Sequence, residues 1–152
     1  MMNPKIEEII QQDGQILETT HGVSMEPMLK QGRNPIVISR IDRAPKRRDV
    51  ILFRVNTGKY ILHRVIKVKK DCYITRGDNM LVTETVHDNE VVGILTGYYK
   101  GEKYVDCQKN FGYRVYSFFV PLRFYSKKLR ICLSPFIPKC LKKLIRKFRK
   151  KQ

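Results

Sequence analysis

The chain has 152 residues, enough for one domain with a real core plus an appendage, and carries a formal net charge of +17. That charge is unevenly placed: residues 111–152 hold thirteen Lys/Arg and no Asp or Glu, whereas the first 110 hold eighteen basic and fourteen acidic residues. No uncharged run of the tail is longer than that from Val115 to Leu122, which falls far short of the ~20 residues a bilayer-spanning helix needs and excludes a transmembrane span there. The pattern is a near-neutral globular domain over residues 1–109 joined near Lys109 to a polycationic tail over residues 110–152.

In chain order, Asn3 and Pro4 fit a helix start, and Ile6, Ile9 and Ile10 give a short apolar face through about Gln12, with Gly14 as the stop. The first twenty residues alternate polar and apolar side chains, include Glu7, Glu8 and Asp13, and lack the apolar core of a signal peptide. Strands are expected at Pro35–Ile41, Val50–Val55, Tyr60–Val68, Cys72–Thr75, Val91–Tyr99 and Lys103–Asp106, each rich in Val, Ile or Tyr. Asn56-Thr57-Gly58, Lys70-Asp71 and Gly101-Glu102 supply turns. The fold class expected is mainly β, a coiled antiparallel sheet or small barrel. Beyond Phe111, Pro121, Pro135 and Pro138 are expected to divide the tail into short helical or irregular pieces.

In the last piece Leu141, Leu144, Ile145 and Phe148 recur at helical spacing, with lysines and arginines on the other face. A basic amphipathic helix of this kind suits an anionic membrane surface. Nucleic acid also attracts polycations, but the apolar stripe disfavours it as the partner. The expected location is therefore peripheral, at the cytoplasmic face of a membrane. Cys72, Cys107, Cys132 and Cys140 show no C-x-x-C pairing and no histidine at metal spacing, and read as reduced thiols with neither metal nor cofactor.

Three short stretches carry possible chemistry. Ser24 follows Gly22, whose missing side chain permits a tight turn and close approach of a peptide substrate, and Pro27 stiffens the exit. The backbone N–H groups of Ser24 and Met25 are candidates for an oxyanion hole. Taken alone, Ser24-Met25-Glu26-Pro27 is a turn with a solvated serine. Strand alternation next puts Ile61, His63 and Val65 on one face and Leu62, Arg64 and Ile66 on the other. A histidine on an apolar face needs a partner, which a serine hydroxyl supplies, though a backbone group would serve as well. Finally, Arg76-Gly77-Asp78-Asn79 forms a turn with Glu84 and Asp88 beyond it. Asp78, Glu84 and Asp88 are each candidates for the carboxylate that orients an imidazole, while Gly-Asp-Asn is also an ordinary turn.

Together, Ser24-Met25-Glu26-Pro27, His63-Arg64-Val65 and Gly77-Asp78-Asn79 resemble the type I signal peptidase family, in its endoplasmic-reticulum and archaeal branch that uses a histidine base. The resemblance runs from about Gly22 to Gly93. It implies a serine endopeptidase with Ser24 as nucleophile and His63 as general base, acting on leader or signal segments of peptides or preproteins with small residues on the acyl side. Where these relatives tend to place aspartate the chain has Glu84, so the third role stays open between Glu84 and Asp78. Members usually carry a membrane anchor just before the nucleophile box; about twenty polar residues stand there instead, and the basic tail is expected to replace the anchor.

The self-cleaving repressor proteases share a similar serine box but use a lysine base. Lys59 and Lys67 lie four residues from His63, about 13 Å along a strand. A third reading is an inactive membrane adaptor that keeps the fold.

Overall fold

A computed structural model of the chain describes residues 6–133. The expected helix start at Asn3 and Pro4 and the membrane-binding candidates Leu141, Leu144, Ile145 and Phe148 lie outside the described residues. Helix α1 (Ile6–Asp13) buries Ile10 completely. It ends at Gly14, whose φ of +78° is the left-handed conformation in which the glycine N–H bonds the Ile10 carbonyl at 3.0 Å.

Eight strands follow: β1 (Gln15–Thr19), β2 (Pro35–Ser39), β3 (Val50–Arg54), β4 (Tyr60–Val68), β5 (Cys72–Arg76), β6 (Glu84–His87), β7 (Val91–Lys100) and β8 (Lys103–Asp106). They form one antiparallel sheet in the order β1-β2-β7-β3-β4-β5-β6, with β8 also paired to β7. The chain is therefore mainly β, and its sheet stays open, with β1 and β6 at the two ends rather than joined into a barrel. Register shifts at Val37/Ile38, Leu52/Phe53 and Val65/Lys67 mark bulges, which bend the strands and raise their twist.

Six strands lie within two residues of where the sequence puts them. The two others, β1 and β6, carry little periodic burial: β1 is exposed except at Ile16, and only Val86 of β6 is buried. Edge strands of this kind are made by pairing to a distant neighbour rather than by their own pattern. β3 is the opposite case. Its run Val50-Ile51-Leu52-Phe53 is buried on both faces, Val50 and Leu52 in one core and Ile51 and Phe53 in the other. The first core adds Ile10, Met25, Leu29, Ile36, Ile38 and Tyr113; the second adds Val65, Tyr73, Val86 and Ile94.

Helix α2 (Phe111–Leu133) begins where the Asn110 side chain accepts the Tyr113 N–H at 2.9 Å, as an N-cap. Pro121 was expected to end a helical piece and instead lies inside α2. A proline removes one N–H and disturbs one turn, and here the helix continues beyond it. The chain divides into a unit Met1–Val120 and a unit Pro121–Gln152. The first turns of α2 thus belong with the sheet, past the boundary read at Lys109, because Tyr113, Ser117 and Val120 are buried there. Among the described residues no helix is long and apolar enough to cross a membrane.

Cys107 is buried, and burial pushes its thiol up to about 12, whereas Cys132 is exposed. Near pH 8 only roughly one Cys107 in ten thousand is thiolate. Iodoacetamide followed by peptide mass mapping is expected to modify Cys132 in the native protein and Cys107 only after addition of denaturant.

Candidate active site

The serine box forms the connection between β1 and β2. Gly22, with φ of +95°, reverses the chain in a conformation that side-chain-bearing residues avoid. Met25, Met28 and Leu29 then plunge into the first core and anchor the turn, while Ser24 stays partly exposed. The Glu26 N–H bonds the Val23 carbonyl at 3.2 Å and the Leu29 N–H bonds the Met25 carbonyl at 3.1 Å. The N–H groups of Ser24 and Met25 are bonded to no carbonyl among the described residues.

The turn after β5 grips this box from the other side. The Asn79 backbone N–H donates to the Ser24 carbonyl at 2.8 Å and its side-chain amide donates to the Val23 carbonyl at 3.2 Å. Gly77 is the point of closest approach. A Cβ there would lie 2.7 Å from the Ser24 carbonyl oxygen and 3.0 Å from His63 Nε2. The serine turn and the imidazole therefore converge on Gly77, and the missing side chain is what lets them.

His63 is 5% exposed on β4, opposite Ile51 of β3, with its ring edge against Phe53 at 6.1 Å. Its Nδ1 lies 2.7 Å from Glu84 Oε2. A carboxylate at that distance accepts the Nδ1 proton, which leaves the Nε2 lone pair on the side of Gly77 and Ser24. The Ser24 hydroxyl and Nε2 are not hydrogen-bonded to each other; such contacts are commonly loose before a substrate is bound.

Asp78 goes elsewhere. Its side chain is 1% exposed and paired bidentately with Arg64, Nε to Oδ1 at 2.8 Å and Nη2 to Oδ2 at 2.7 Å. The Tyr116 hydroxyl adds a bond to Oδ2 at 3.1 Å. Arg64 Nη1 donates to the Arg48 carbonyl at 2.9 Å and to the Tyr113 hydroxyl at 3.2 Å, and Nη2 reaches Met28 Sδ at 3.2 Å. Burial works against the Arg64 charge, but the bonds to Asp78 and its negative charge outweigh that, so the guanidinium pKa is raised. Burial likewise pushes the Tyr113 hydroxyl up. Of the candidate carboxylates, Glu84 meets the imidazole and Asp78 holds the framework. Asp88 begins a short 3-10 turn, Asp88–Glu90, where its charge adds to burial in pushing the Tyr73 hydroxyl up to about 12.

Sequence reasoning placed Arg64 on the face opposite His63 without giving it a role, and missed Tyr113 and Tyr116. The available signal was a charged residue among apolar neighbours on an inward strand face, which requires a buried counter-charge.

A groove of about 570 Å³ opens beside Ser24 and His63. Gly22 and Met25 line it together with Ile16, Ile36, Leu52, Ile61 and Leu62; Pro27, expected at a substrate site, does not. Lys59 also lines it and is exposed. A larger, polar cleft of about 930 Å³, lined by Glu7, Glu8, Arg54 and Glu90, contains neither Ser24 nor His63. Among the described residues no group of three or more His, Cys, Asp or Glu is arranged to hold a metal ion. Neither a scan against protein-family models nor a search of curated proteins returned a match.

The two carboxylates predict different phenotypes. Asp78→Asn or Arg64→Met leaves a buried charge without its partner and is expected to cost about 3–5 kcal/mol in urea denaturation, with Arg64→Met/Asp78→Leu recovering most of it. Glu84→Gln, at a side chain 38% exposed and without change of shape, is expected to change stability by less than about 1 kcal/mol. Gly77→Ala puts a methyl group against the Ser24 backbone, with an expected loss of about 1–3 kcal/mol in the same assay.

Proposed function

We propose that the chain is a serine endopeptidase of signal-peptidase type, with a signal-peptidase-like fold, that cleaves leader or signal segments of peptides or preproteins. The observation that carries the reading is the Glu84–His63 bond of 2.7 Å with the opposite ring nitrogen directed to the side where the serine turn meets Gly77. Glu84 holds the imidazole in the Nδ1–H tautomer and stabilises it when it becomes charged. His63 Nε2 takes the proton from Ser24 Oγ as that oxygen bonds the scissile carbonyl carbon, and returns it to the departing amine. Water then attacks the acyl-enzyme with His63 again as base. The N–H groups of Ser24 and Met25, bonded to no carbonyl among the described residues, are suited to stabilise the oxyanion.

The sheet supports an extended substrate. Residues Tyr60–His63 of β4 pair with β3 on one side, while β5 begins its pairing only at Arg64. The other edge of Tyr60–His63 thus meets no strand among the described residues, and it borders the groove whose opposite wall includes β1. A peptide entering as a strand obtains backbone hydrogen bonds there and places alternate side chains in the apolar groove. A self-cleaving reaction with a lysine base has less support, since Glu84 partners His63 and Lys59 is exposed.

The test is cleavage of a diverse peptide library by purified protein on anionic vesicles, read by mass spectrometry. Cleavage is expected to vanish in Ser24→Ala and His63→Ala, and Glu84→Gln to lower kcat about 10²–10⁴-fold. Cleavage that persists unchanged in Ser24→Ala would sink the proposal, and background signal from all variants would favour the non-catalytic adaptor.

A further inference from the structure

Helix α2 is apolar on two faces. Tyr113, Tyr116, Ser117 and Val120 turn toward the sheet domain, where Tyr113 and Tyr116 bond the Arg64–Asp78 pair. On the remaining surface of the same turns Phe111, Val115, Phe118 and Phe119 are exposed, Phe111 by 77% and Phe118 by 57%. Clustered exposed aromatics on a helix already packed through another face mark a contact surface. In the second unit, taken by itself, Leu122, Tyr125 and Leu129 are exposed as well.

The rim of this face is cationic. Arg48 stacks its guanidinium over the Phe118 ring at 4.6 Å. Its backbone is held at a φ of +82°, a sparsely populated conformation for a residue with a side chain. The bonds that hold it are its N–H to the Val65 carbonyl and its carbonyl to Arg64. Lys46 and Arg47 precede it in an exposed run, and Arg114 is exposed on α2 itself. Asp49, the acid next to this run, is occupied by Arg43 at 2.6 Å.

We infer that the Phe111–Val115–Phe118–Phe119 face of α2, with Arg48 stacked at its rim and Lys46 and Arg47 next to Arg48 in the chain, is a docking surface for an anionic lipid bilayer. Charge selects this occupant over a second copy of the chain. Residues 111–152 contain thirteen Lys/Arg and no acid, so two copies packed through this face would bring like charges together, whereas acidic headgroups neutralise them. Phe and Tyr are suited to the headgroup–acyl boundary, with their rings in the apolar layer. The residues of this surface do not include Leu144 or Phe148, and the inference does not depend on Ser24 being a nucleophile.

The chain contains no tryptophan, so Phe119→Trp in the full-length protein is a clean reporter, with Leu17→Trp on β1 as the comparison. With vesicles of phosphatidylcholine and phosphatidylglycerol, Phe119→Trp emission is expected to shift to the blue and to be quenched by brominated acyl chains. Leu17→Trp should show neither effect, and phosphatidylcholine alone should give little of either. Phe111→Ser with Phe118→Ser is expected to lower vesicle partitioning by roughly tenfold or more, with an unchanged circular dichroism spectrum. The inference is overturned if Phe119→Trp is not quenched although the protein binds vesicles, or if both reporters are quenched equally. It is also overturned if light scattering finds a dimer that Phe118→Ser dissociates.

Discussion

Burying a guanidinium and a carboxylate together is costly, because each surrenders its hydration and recovers it only through well-aligned bonds. Arg64 and Asp78, each 1% exposed at the side chain, meet that condition. Arg64 uses its Nε and both terminal nitrogens, on Asp78, the Arg48 carbonyl, the Tyr113 hydroxyl and the Met28 sulfur. These partners come from four separate places: the turn after β5, the loop before β3, the start of α2 and the serine loop. A pair of this kind adds little net stability over an apolar equivalent, but it admits one arrangement of the four segments and penalises every other.

That constraint reaches the candidate site through the strand itself. His63 and Arg64 are neighbours on β4 and point to opposite faces, so fixing Arg64 toward Asp78 fixes His63 toward Glu84. The same turn that delivers Asp78 to Arg64 delivers Asn79 to the Ser24 and Val23 carbonyls. Gly77, one residue earlier, leaves the gap in which the serine turn and the imidazole meet. Ser24, His63 and Glu84 lie on three different elements, and their convergence is a product of the framework on the other face of the sheet.

Helix α2 joins the framework to the surface. Its inner tyrosines complete the bonding of the buried ion pair, which is why its first turns belong with the sheet despite the basic, tail-like composition. Its outer phenylalanines stay exposed, with Arg48 stacked on Phe118. Arg48 belongs to both sides, with its carbonyl under Arg64 and its side chain on Phe118.

Much of the architecture was legible from local pattern. Buried strands such as Val50–Arg54 and Tyr60–Val68 announce themselves through β-branched and aromatic runs between turn residues, and Ser24 and His63 stand out because a serine turn and an inward histidine are chemically distinctive. The sequence by itself determined the mainly β character, the division between a near-neutral stretch and a basic tail, and the singling out of Ser24 and His63 as the residues on which the proposed reaction rests. Tertiary structure decided the rest. Strands β1 and β6 exist because distant partners pair with them, and the open order of the sheet follows from long-range register that no local window contains. The choice between Glu84 and Asp78 was likewise beyond the sequence, since both are acids near one turn. It was made by the Arg64 guanidinium, which claims Asp78 for the buried framework and leaves Glu84 to meet the imidazole.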